Sequence, residues 1–211
     1  MMSRLTAVLL AATLSGIIGL VMPPMAHASS SGKSISSAAH QKHKRVKRKA
    51  QLATIPPAFY KASALKQVPA DLLYSISLQE SQLVTNKGRI IPWPWTVNWQ
   101  GRGYRFNTRA KMYAFCQRLL KNGYRSFDVG LAQVNWRWHS DRFNGDLWAA
   151  TDPWINLTAA ASYLKERHDE SGNWWTATGE YHHPTNTARA ASYRQSVHSR
   201  WKKVQALLAQ K

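Results

Sequence analysis

Apolar side chains recur every three or four positions in four segments between residues 58 and 211, a spacing typical of one face of an α-helix. Three of these segments also have residues that favour helix ends: Pro69 and Asp152 at starts, Gly123 and Gly172 at stops. We therefore predict helices over residues 69–83, 108–121, 153–171 and 187–208. The fold is expected to be mostly α.

Between the first two predicted helices the pattern becomes β-like. Residues 95–99 and 104–106 favour strands, and residues 100–103 favour a turn. Gly101 and Gly103 do not indicate a phosphate-binding loop, because the third glycine and the parallel βαβ context are missing. We predict a small β-hairpin beside the helices, which makes the fold class α+β with a predominantly helical domain.

The N-terminus has the features of an export signal. Arg4 is the only charge before an apolar stretch over residues 7–22, and Ala26-His27-Ala28 supplies the small residues that signal peptidase recognises. We predict a signal peptide over residues 1–28 and a mature protein in the periplasm. The alternative is an uncleaved membrane anchor, because the apolar stretch approaches the length of about 17 residues that can span a bilayer.

A disordered basic linker is predicted over residues 29–57, followed by the folded domain over residues 58–211. The linker opens with Ser29-Ser30-Ser31-Gly32, and residues 42–49 contain a run of Lys and Arg without an acidic residue. After export, the anions that such a run meets are the cell wall and anionic lipid surfaces. We expect electrostatic association with wall or membrane, and no binding to nucleic acid.

Composition excludes several kinds of site. The chain has 29 Lys and Arg against 10 Asp and Glu, a net charge of +19, so it has no Asp-rich calcium loop. Its single cysteine, Cys116, excludes an internal disulfide and a multi-cysteine zinc site. The adjacent His182 and His183 point in different directions and are poor co-ligands. We therefore predict no metal and no cofactor.

One acidic residue lies on an apolar helix face. Glu80 is seven residues after Leu73, four after Ile76 and three before Leu83, so it shares their stripe on the first predicted helix. Burial and the nearby helix C-terminus both favour the protonated carboxyl, which a general acid requires. A Glu80 that turns to solvent, or one that pairs with an arginine, is the structural alternative.

Three short motifs follow one another along the chain: Gln79-Glu80-Ser81, the sequence D-V-G-L-A-Q-V-N over residues 128–135, and Gly179-Glu180-Tyr181. Together they resemble the lytic transglycosylases of the goose-lysozyme-like type, the soluble-lytic-transglycosylase domain. The resemblance extends over residues 69–193. It implies a lysozyme-like fold in which the hairpin lies beside the active-site groove, and peptidoglycan glycan strands as the substrate.

The resemblance implies that Glu80 is the catalytic acid/base and that Ser81, its helix neighbour, lines the cleft. Gly130 and Leu131 would form the floor of the sugar groove. These four residues come from the first two motifs.

The remaining implied roles concern glycan contacts. Gln133 and Asn135 would form hydrogen bonds with the glycan, and Tyr181 would place its hydroxyl near the Glu80 carboxyl. The sequence departs from the family at Ala132, where methionine is usual, and at His182, where many members have asparagine. His182 is therefore a further candidate for substrate binding.

A Trp- and Pro-rich insert over residues 91–95 and the Tyr181-His182-x-Pro184 ending resemble the branch that accompanies conjugation and secretion machines. The implied partner is an envelope-spanning secretion or conjugation apparatus. Aromatic faces stack on sugar rings, so Trp93 and Trp95 either line the groove or simply pack in the core.

The resemblance implies cleavage of the MurNAc–GlcNAc bond by a single glutamate, with formation of 1,6-anhydro-muramoyl ends and local opening of the wall. Most glycosidases use two carboxylates. A second one here, Asp128 or Glu180, would favour a hydrolytic muramidase. We expect Asp128 to order its loop, and Glu180 to face outward or pair with a cation. A non-catalytic cationic module that binds glycan is the alternative of another class.

Overall fold

The structure, a computed structural model, describes residues 49–210. The predicted signal peptide and most of the predicted linker lie outside the described residues. Within them, the helices are α1 (Pro57–Lys66), α2 (Ala70–Ser81), α3 (Arg109–Lys121), α4 (Trp136–His139), α5 (Leu147–Ala150), α6 (Pro153–Ser171), α7 (Trp174–His182) and α8 (Thr187–Leu208). The predicted mostly helical α+β class is confirmed.

Two small sheets accompany the helices. Their strands are β1 (Gln51–Leu52), β2 (Gln82–Val84), β3 (Arg89–Pro92), β4 (Thr96–Trp99), β5 (Arg102–Arg105), β6 (Asp128–Val129) and β7 (Val134–Asn135). The first sheet has the order β1-β3-β2 and the second β5-β4-β6-β7. Strands β4 and β5 form the predicted hairpin, and their antiparallel register pairs Val97 with Tyr104.

Helix ends follow the capping residues of the sequence. The Asp152 carboxylate accepts hydrogen bonds from the backbone N–H groups of Trp154 and Ile155, at 2.9 and 3.1 Å, at the start of α6. Gly172 ends this helix in the left-handed conformation, at φ 66°. The predictions for α3, α6 and α8 are confirmed by their observed bounds.

Helix α2 ends at Ser81, two residues before the predicted end. Gln82 has extended backbone angles, and Leu83 pairs with Ile91 across the β2–β3 ladder. The Ser81 carbonyl accepts a hydrogen bond from the Trp93 N–H at 3.0 Å, which holds the chain in this turn. Leu83 is thus a strand residue that happens to continue the helical spacing.

The folded part begins before residue 58, earlier than predicted. Strand β1 pairs in parallel with β3, and the Ala53 N–H donates to the Ile90 carbonyl at 3.0 Å. Ala53 and Ile55 are buried, and the Tyr74 hydroxyl donates to the Ala53 carbonyl. A two-residue strand is too short to show periodicity, which explains why the sequence did not indicate it.

Two apolar clusters form the core. One lies among α1, α2, α6 and α8, and the other lies between the second sheet, α3 and the start of α6. Tyr181 of α7 packs against both clusters. Its position brings the helical part and the sheet together around one cleft. No helix within residues 49–210 has both the length and the apolar character needed to cross a membrane.

Candidate active site

A cleft of about 700 Å³ lies between the C-terminal end of α2, the β6–β7 strands and the C-terminal end of α7. This volume is typical of ligand-binding sites. The cleft is lined by five residues that the sequence indicated for catalysis or substrate binding. They are Glu80, Gln133, Asn135, Tyr181 and His182. The other lining residues are Asp128, Val134, Trp138, His139, Tyr163, His183, Pro184 and Thr185.

Glu80 lies in the last turn of α2 and is half-buried. The pKa of its carboxyl is raised from 4.5 to about 8, mainly by burial and to a smaller extent by the nearby Asp128 carboxylate. A hydrogen bond from Tyr193 and the positive charge of Arg200 act in the opposite direction. Because burial dominates, the Glu80 carboxyl is protonated at neutral pH, in the state in which it can donate a proton.

Tyr193 is the direct partner of Glu80. Its hydroxyl donates a hydrogen bond to the Glu80 carboxylate oxygen Oε1 across the α2–α8 interface. Burial raises the pKa of Tyr193 well above its usual value, so the phenol remains a neutral donor. The sequence pattern did not indicate Tyr193 as a site residue. The available signal was a hydroxyl on an otherwise apolar seam of α8, between Ala190 and Val197.

Tyr181 lines the cleft together with Glu80, whose charge acts on the Tyr181 hydroxyl, but the hydrogen bond of this hydroxyl goes elsewhere. The hydroxyl donates to the Ala132 carbonyl at 2.9 Å. Burial, and then the charge of Glu80, raise the pKa of Tyr181 well above its usual value. Tyr181 thus fixes the turn that precedes β7, while Tyr193 forms the hydrogen bond to the Glu80 carboxyl.

The Gly130 turn is held by a buried asparagine. Asn156 of α6 donates to the Val129 carbonyl at 2.9 Å and accepts from the Ala132 N–H at 3.2 Å. Gly130 has φ +85°, and a Cβ atom there would lie 2.4 Å from the Asn156 side chain. Only glycine fits this position.

Three residues that we expected at the cleft surface prove to be structural. Ser81 is fully buried, and its hydroxyl donates to the Leu131 carbonyl at 2.7 Å, which joins α2 to the Gly130 turn. Gly130 and Leu131 are also buried and do not line the cleft. Their contribution is to hold α2, and therefore Glu80, against the β6–β7 strands.

The polar wall of the cleft is made by β6, β7 and the turn between them. The Asn135 amide donates to Asp128 Oδ1 at 2.7 Å, and the Gln133 amide donates to the Gly130 carbonyl, also at 2.7 Å. Burial raises the pKa of Asp128, and the bond from Asn135 opposes this rise. Asp128 therefore orders the wall, as expected, and also lies in the cleft with Glu80. Glu180 is half-buried and does not line the cleft.

The tryptophan that lines the cleft is Trp138, and for Trp93 and Trp95 the structure supports packing rather than lining of this cleft. Trp93 and Trp95 do not line it. They contact each other edge to face with ring centroids 5.5 Å apart, and the Trp93 indole donates to the Phe106 carbonyl at 2.8 Å. Trp138, at the end of α4, does line the cleft and is 68% exposed. Its position offers an aromatic face to a ligand.

Within residues 49–210, no group of three or more His, Cys, Asp or Glu side chains could hold a metal ion. Cys116 is buried on α3, and burial raises the pKa of its thiol to about 12. The cleft thus combines the protonated carboxyl of Glu80 with hydrogen-bonding and aromatic groups.

Residues 104–204 match the family model described as the transglycosylase SLT domain. No curated protein and no solved structure matches the chain. The matched segment begins in β5, ends in α8 and includes most of the cleft lining as well as Tyr193. It does not include Glu80, which lies 24 residues before its start.

Proposed function

We propose that the chain is a peptidoglycan lytic transglycosylase with Glu80 as its catalytic acid/base, and the match of residues 104–204 to the transglycosylase SLT-domain model supports this proposal. One observation carries the proposal: a carboxyl in the wall of a 700 Å³ cleft, with its pKa raised to about 8 by burial. A general acid is most effective when its pKa lies near the working pH. Glu80 meets this condition mainly because it is buried.

The proposed reaction starts with transfer of the Glu80 proton to the oxygen of the MurNAc–GlcNAc bond. The bond from C1 of MurNAc to this oxygen breaks, GlcNAc leaves with the proton, and the substrate's own acetamido group stabilises the positive centre at C1. The Glu80 carboxylate then removes the proton from the C6 hydroxyl of the same MurNAc. The C6 oxygen bonds to C1, which closes the 1,6-anhydro ring and returns Glu80 to its protonated form.

The contacts of Glu80 suit both halves of this cycle. Burial favours the carboxylic acid, which is needed to protonate the leaving oxygen. The Tyr193 hydrogen bond favours the carboxylate, which exists between the two proton transfers. The two effects oppose each other, so neither form is so stable that it blocks the other step.

Trp138, Gln133, Asn135 and His182 are proposed to contact the glycan. Trp138 offers an exposed ring for stacking on a sugar face. Gln133, Asn135 and His182 line the same cleft and supply polar groups. The Asn135 amide already binds Asp128, so its orientation is fixed before substrate arrives.

A hydrolytic muramidase is the second candidate, because Asp128 lies in the cleft and its charge acts on Glu80. In that reaction Asp128 would activate a water molecule or stabilise the positive centre. Both roles need the Asp128 carboxylate, which burial disfavours. The Asp128→Asn variant separates the two candidates. A transglycosylase retains most of its activity, whereas a muramidase that uses Asp128 loses it.

The decisive experiment is digestion of purified murein, followed by mass spectrometry of the products. Anhydro ends are lighter than reducing ends by one water molecule. We expect anhydro products from the wild type and a loss of about 10²–10⁴-fold in rate for Glu80→Gln. Glu180→Gln is the matched control, since it makes the same chemical change outside the cleft, and it should retain activity.

Each outcome has a defined meaning. Reducing ends would identify a muramidase. Murein clearance that is equal for the wild type and Glu80→Gln would refute Glu80 as the catalytic acid. Murein binding without any cleavage would favour the non-catalytic cationic module.

The location and the biological purpose follow from the same proposal. The predicted signal peptide supports export to the periplasm, where peptidoglycan is accessible. Without Arg4 the mature chain has 28 Lys and Arg against 10 Asp and Glu, a net charge of +18 that suits a wall carrying carboxylates. The proposed purpose is local opening of the wall for an envelope-spanning secretion or conjugation apparatus. Sequencing of the mature N-terminus tests export, and we expect it to begin at Ser29.

A further inference from the structure

A second cleft, of about 690 Å³, lies beside the first sheet and shares no lining residue with the Glu80 cleft. Leu83, Ile91, Trp93 and Phe106 give it an apolar lining. Its cationic residues are Lys87, Arg89 and Arg105, all of which are exposed. No acidic side chain lines it. The cleft therefore combines apolar surface with positive charge, and nothing in the proposed cleavage step uses it.

The positive charge extends over the whole surrounding segment. Residues 81–127 contain nine Lys and Arg and no Asp or Glu, so all acidic residues lie elsewhere in the chain. Among these nine, within residues 49–210, only Arg109 forms an ion pair with a carboxylate, that of Asp152 at 2.9 Å. The cations of the second cleft are thus not neutralised by described carboxylates and are available to an anionic ligand.

An edge strand also lies at this cleft, because Leu83 and Val84 of β2 line it. Strand β2 is at the edge of its sheet, with β3 as its one neighbour in the described part of the chain. Val84 at the end of β2 is 49% exposed. Exposed strand edges bind extended peptides through backbone hydrogen bonds, with side-chain pockets that add selectivity.

The second cleft is close to the catalytic acid along the chain. Leu83, which lines it, is three residues after Glu80. The intervening residues are fixed by hydrogen bonds: the Ser81 carbonyl accepts from the Trp93 N–H at 3.0 Å, and the Gln82 carbonyl accepts from the Arg105 guanidinium at 3.0 Å. Three peptide units span at most about 11 Å, so the Cα atoms of Glu80 and Leu83 lie within that distance of each other.

From these observations we infer that the second cleft binds the acidic stem peptide attached to the muramoyl residues of the strand being cleaved, an inference that rests on the proposed function. The stem peptide carries carboxylates for the cations of the cleft, small apolar side chains for its lining, and an extended backbone for the β2 edge. The sugars themselves carry no charge that would use Lys87, Arg89 or Arg105.

The test compares two double variants of the full chain. Lys87→Ala with Arg89→Ala removes two exposed cations from the cleft, whereas Lys111→Ala with Lys121→Ala removes two exposed cations from α3, outside it. The two variants have the same net charge and modify the same acid-free segment. Their cleavage rates are measured on peptide-bearing murein strands and on strands from which an amidase has removed the peptides. Binding of a free synthetic stem tetrapeptide is measured by calorimetry.

We expect the Lys87/Arg89 variant to raise KM for peptide-bearing strands by about three- to tenfold, with kcat unchanged and peptide-free strands cleaved as by the wild type. It should weaken tetrapeptide binding by a similar factor. The Lys111/Lys121 variant should behave as the wild type on both substrates. Added salt should reduce the preference of the wild type for peptide-bearing strands.

The outcomes keep this inference separate from the proposed function. Cleavage of both strand types with equal KM, and no tetrapeptide binding, would overturn the stem-peptide site and leave the enzyme assignment intact. Tetrapeptide binding that depends on Lys87 and Arg89, without any murein cleavage, would support the site and refute the enzyme. Equal losses in the two double variants would reduce the effect to general charge attraction and overturn the site.

Discussion

Glu80→Gln should make the protein more stable, and the gain should grow with pH. The pKa of Glu80 is about 8 in the folded state and 4.5 without the influence of the fold. Between these values the unfolded chain releases its proton while the folded protein retains it. The unfolded state then binds fewer protons, so the free energy of unfolding of the wild type falls as pH rises. Glutamine has no proton to release and escapes this loss.

The size of the gain follows from the two pKa values. Each pH unit between 4.5 and about 8 changes the free energy of unfolding by about 1.4 kcal/mol, which sets an upper limit of about 5 kcal/mol. Because Glu80 is half-buried at an open cleft, solvent screens part of the burial effect, and we expect about 2–4 kcal/mol above pH 8. Glutamine still accepts the hydrogen bond from Tyr193, so little is lost in exchange.

Urea unfolding at several pH values between 4 and 9 measures this effect. The wild type and Glu80→Gln should have nearly equal stability at pH 4, and the difference should widen up to about pH 8 and then level off. Taking the difference between the two proteins removes the contributions of other titrating groups. Glu180→Gln reports the effect of the same substitution outside the cleft. A difference between wild type and Glu80→Gln that is constant across this range would refute the raised pKa and, with it, the physical basis for Glu80 as general acid.

Three further substitutions test the surroundings of Glu80. Tyr193→Phe removes the hydrogen bond that stabilises the Glu80 carboxylate and should therefore raise the pKa of Glu80. The alkaline limb of the kcat–pH profile should shift to higher pH by about one unit. An unchanged limb would contradict this role of Tyr193. Trp138→Ala should raise KM for murein about three- to tenfold, whereas Trp148→Ala, also exposed but outside the cleft, should not. Asn156→Ala leaves buried backbone groups unpaired and should lower the free energy of unfolding by about 2–4 kcal/mol in urea titrations; a loss below about 1 kcal/mol would contradict its role in the turn.

Helices with a regular apolar spacing or with capping residues at their ends could be predicted from the sequence. Helix α8 was predicted over 187–208 and is observed over Thr187–Leu208, because its apolar seam extends over many turns. Helix α6 is capped by Asp152 before its first residue and by Gly172 after its last. Both residue types favour these cap positions whatever the rest of the fold, so the sequence indicates both ends. The first sheet was missed, since strands of two to four residues depend on pairing with distant segments and have too few positions for a period.

In the site, too, features with a local sequence signal could be predicted, whereas contacts between distant segments could not. The unusual position of Glu80 on an apolar face could be seen in the sequence, and the cleft does include it. The Tyr193 contact could not be foreseen, because it joins residues 113 positions apart through helix packing. The motif residues Ser81, Gly130 and Leu131 were interpreted as sugar contacts. In the structure these residues are buried, and hydrogen bonding and close packing within the protein require serine at position 81 and glycine at position 130.

The proposed catalytic acid lies outside the segment that matches the family model and contacts this segment through tertiary packing. Residues 104–204 contain Tyr193 and Arg200 on α8, whereas Glu80 precedes them on α2. The charge of Arg200 and the Tyr193 hydroxyl both act on the Glu80 carboxyl, and the Arg200 side chain also donates to Gln79 at 2.7 Å. The pKa of Glu80 is therefore a property of the α2–α8 interface. A change that loosens this interface admits water, lowers the pKa towards 4.5 and removes the general acid before it unfolds the protein. Activity at neutral pH is thus expected to be lost at lower denaturant concentration than helicity.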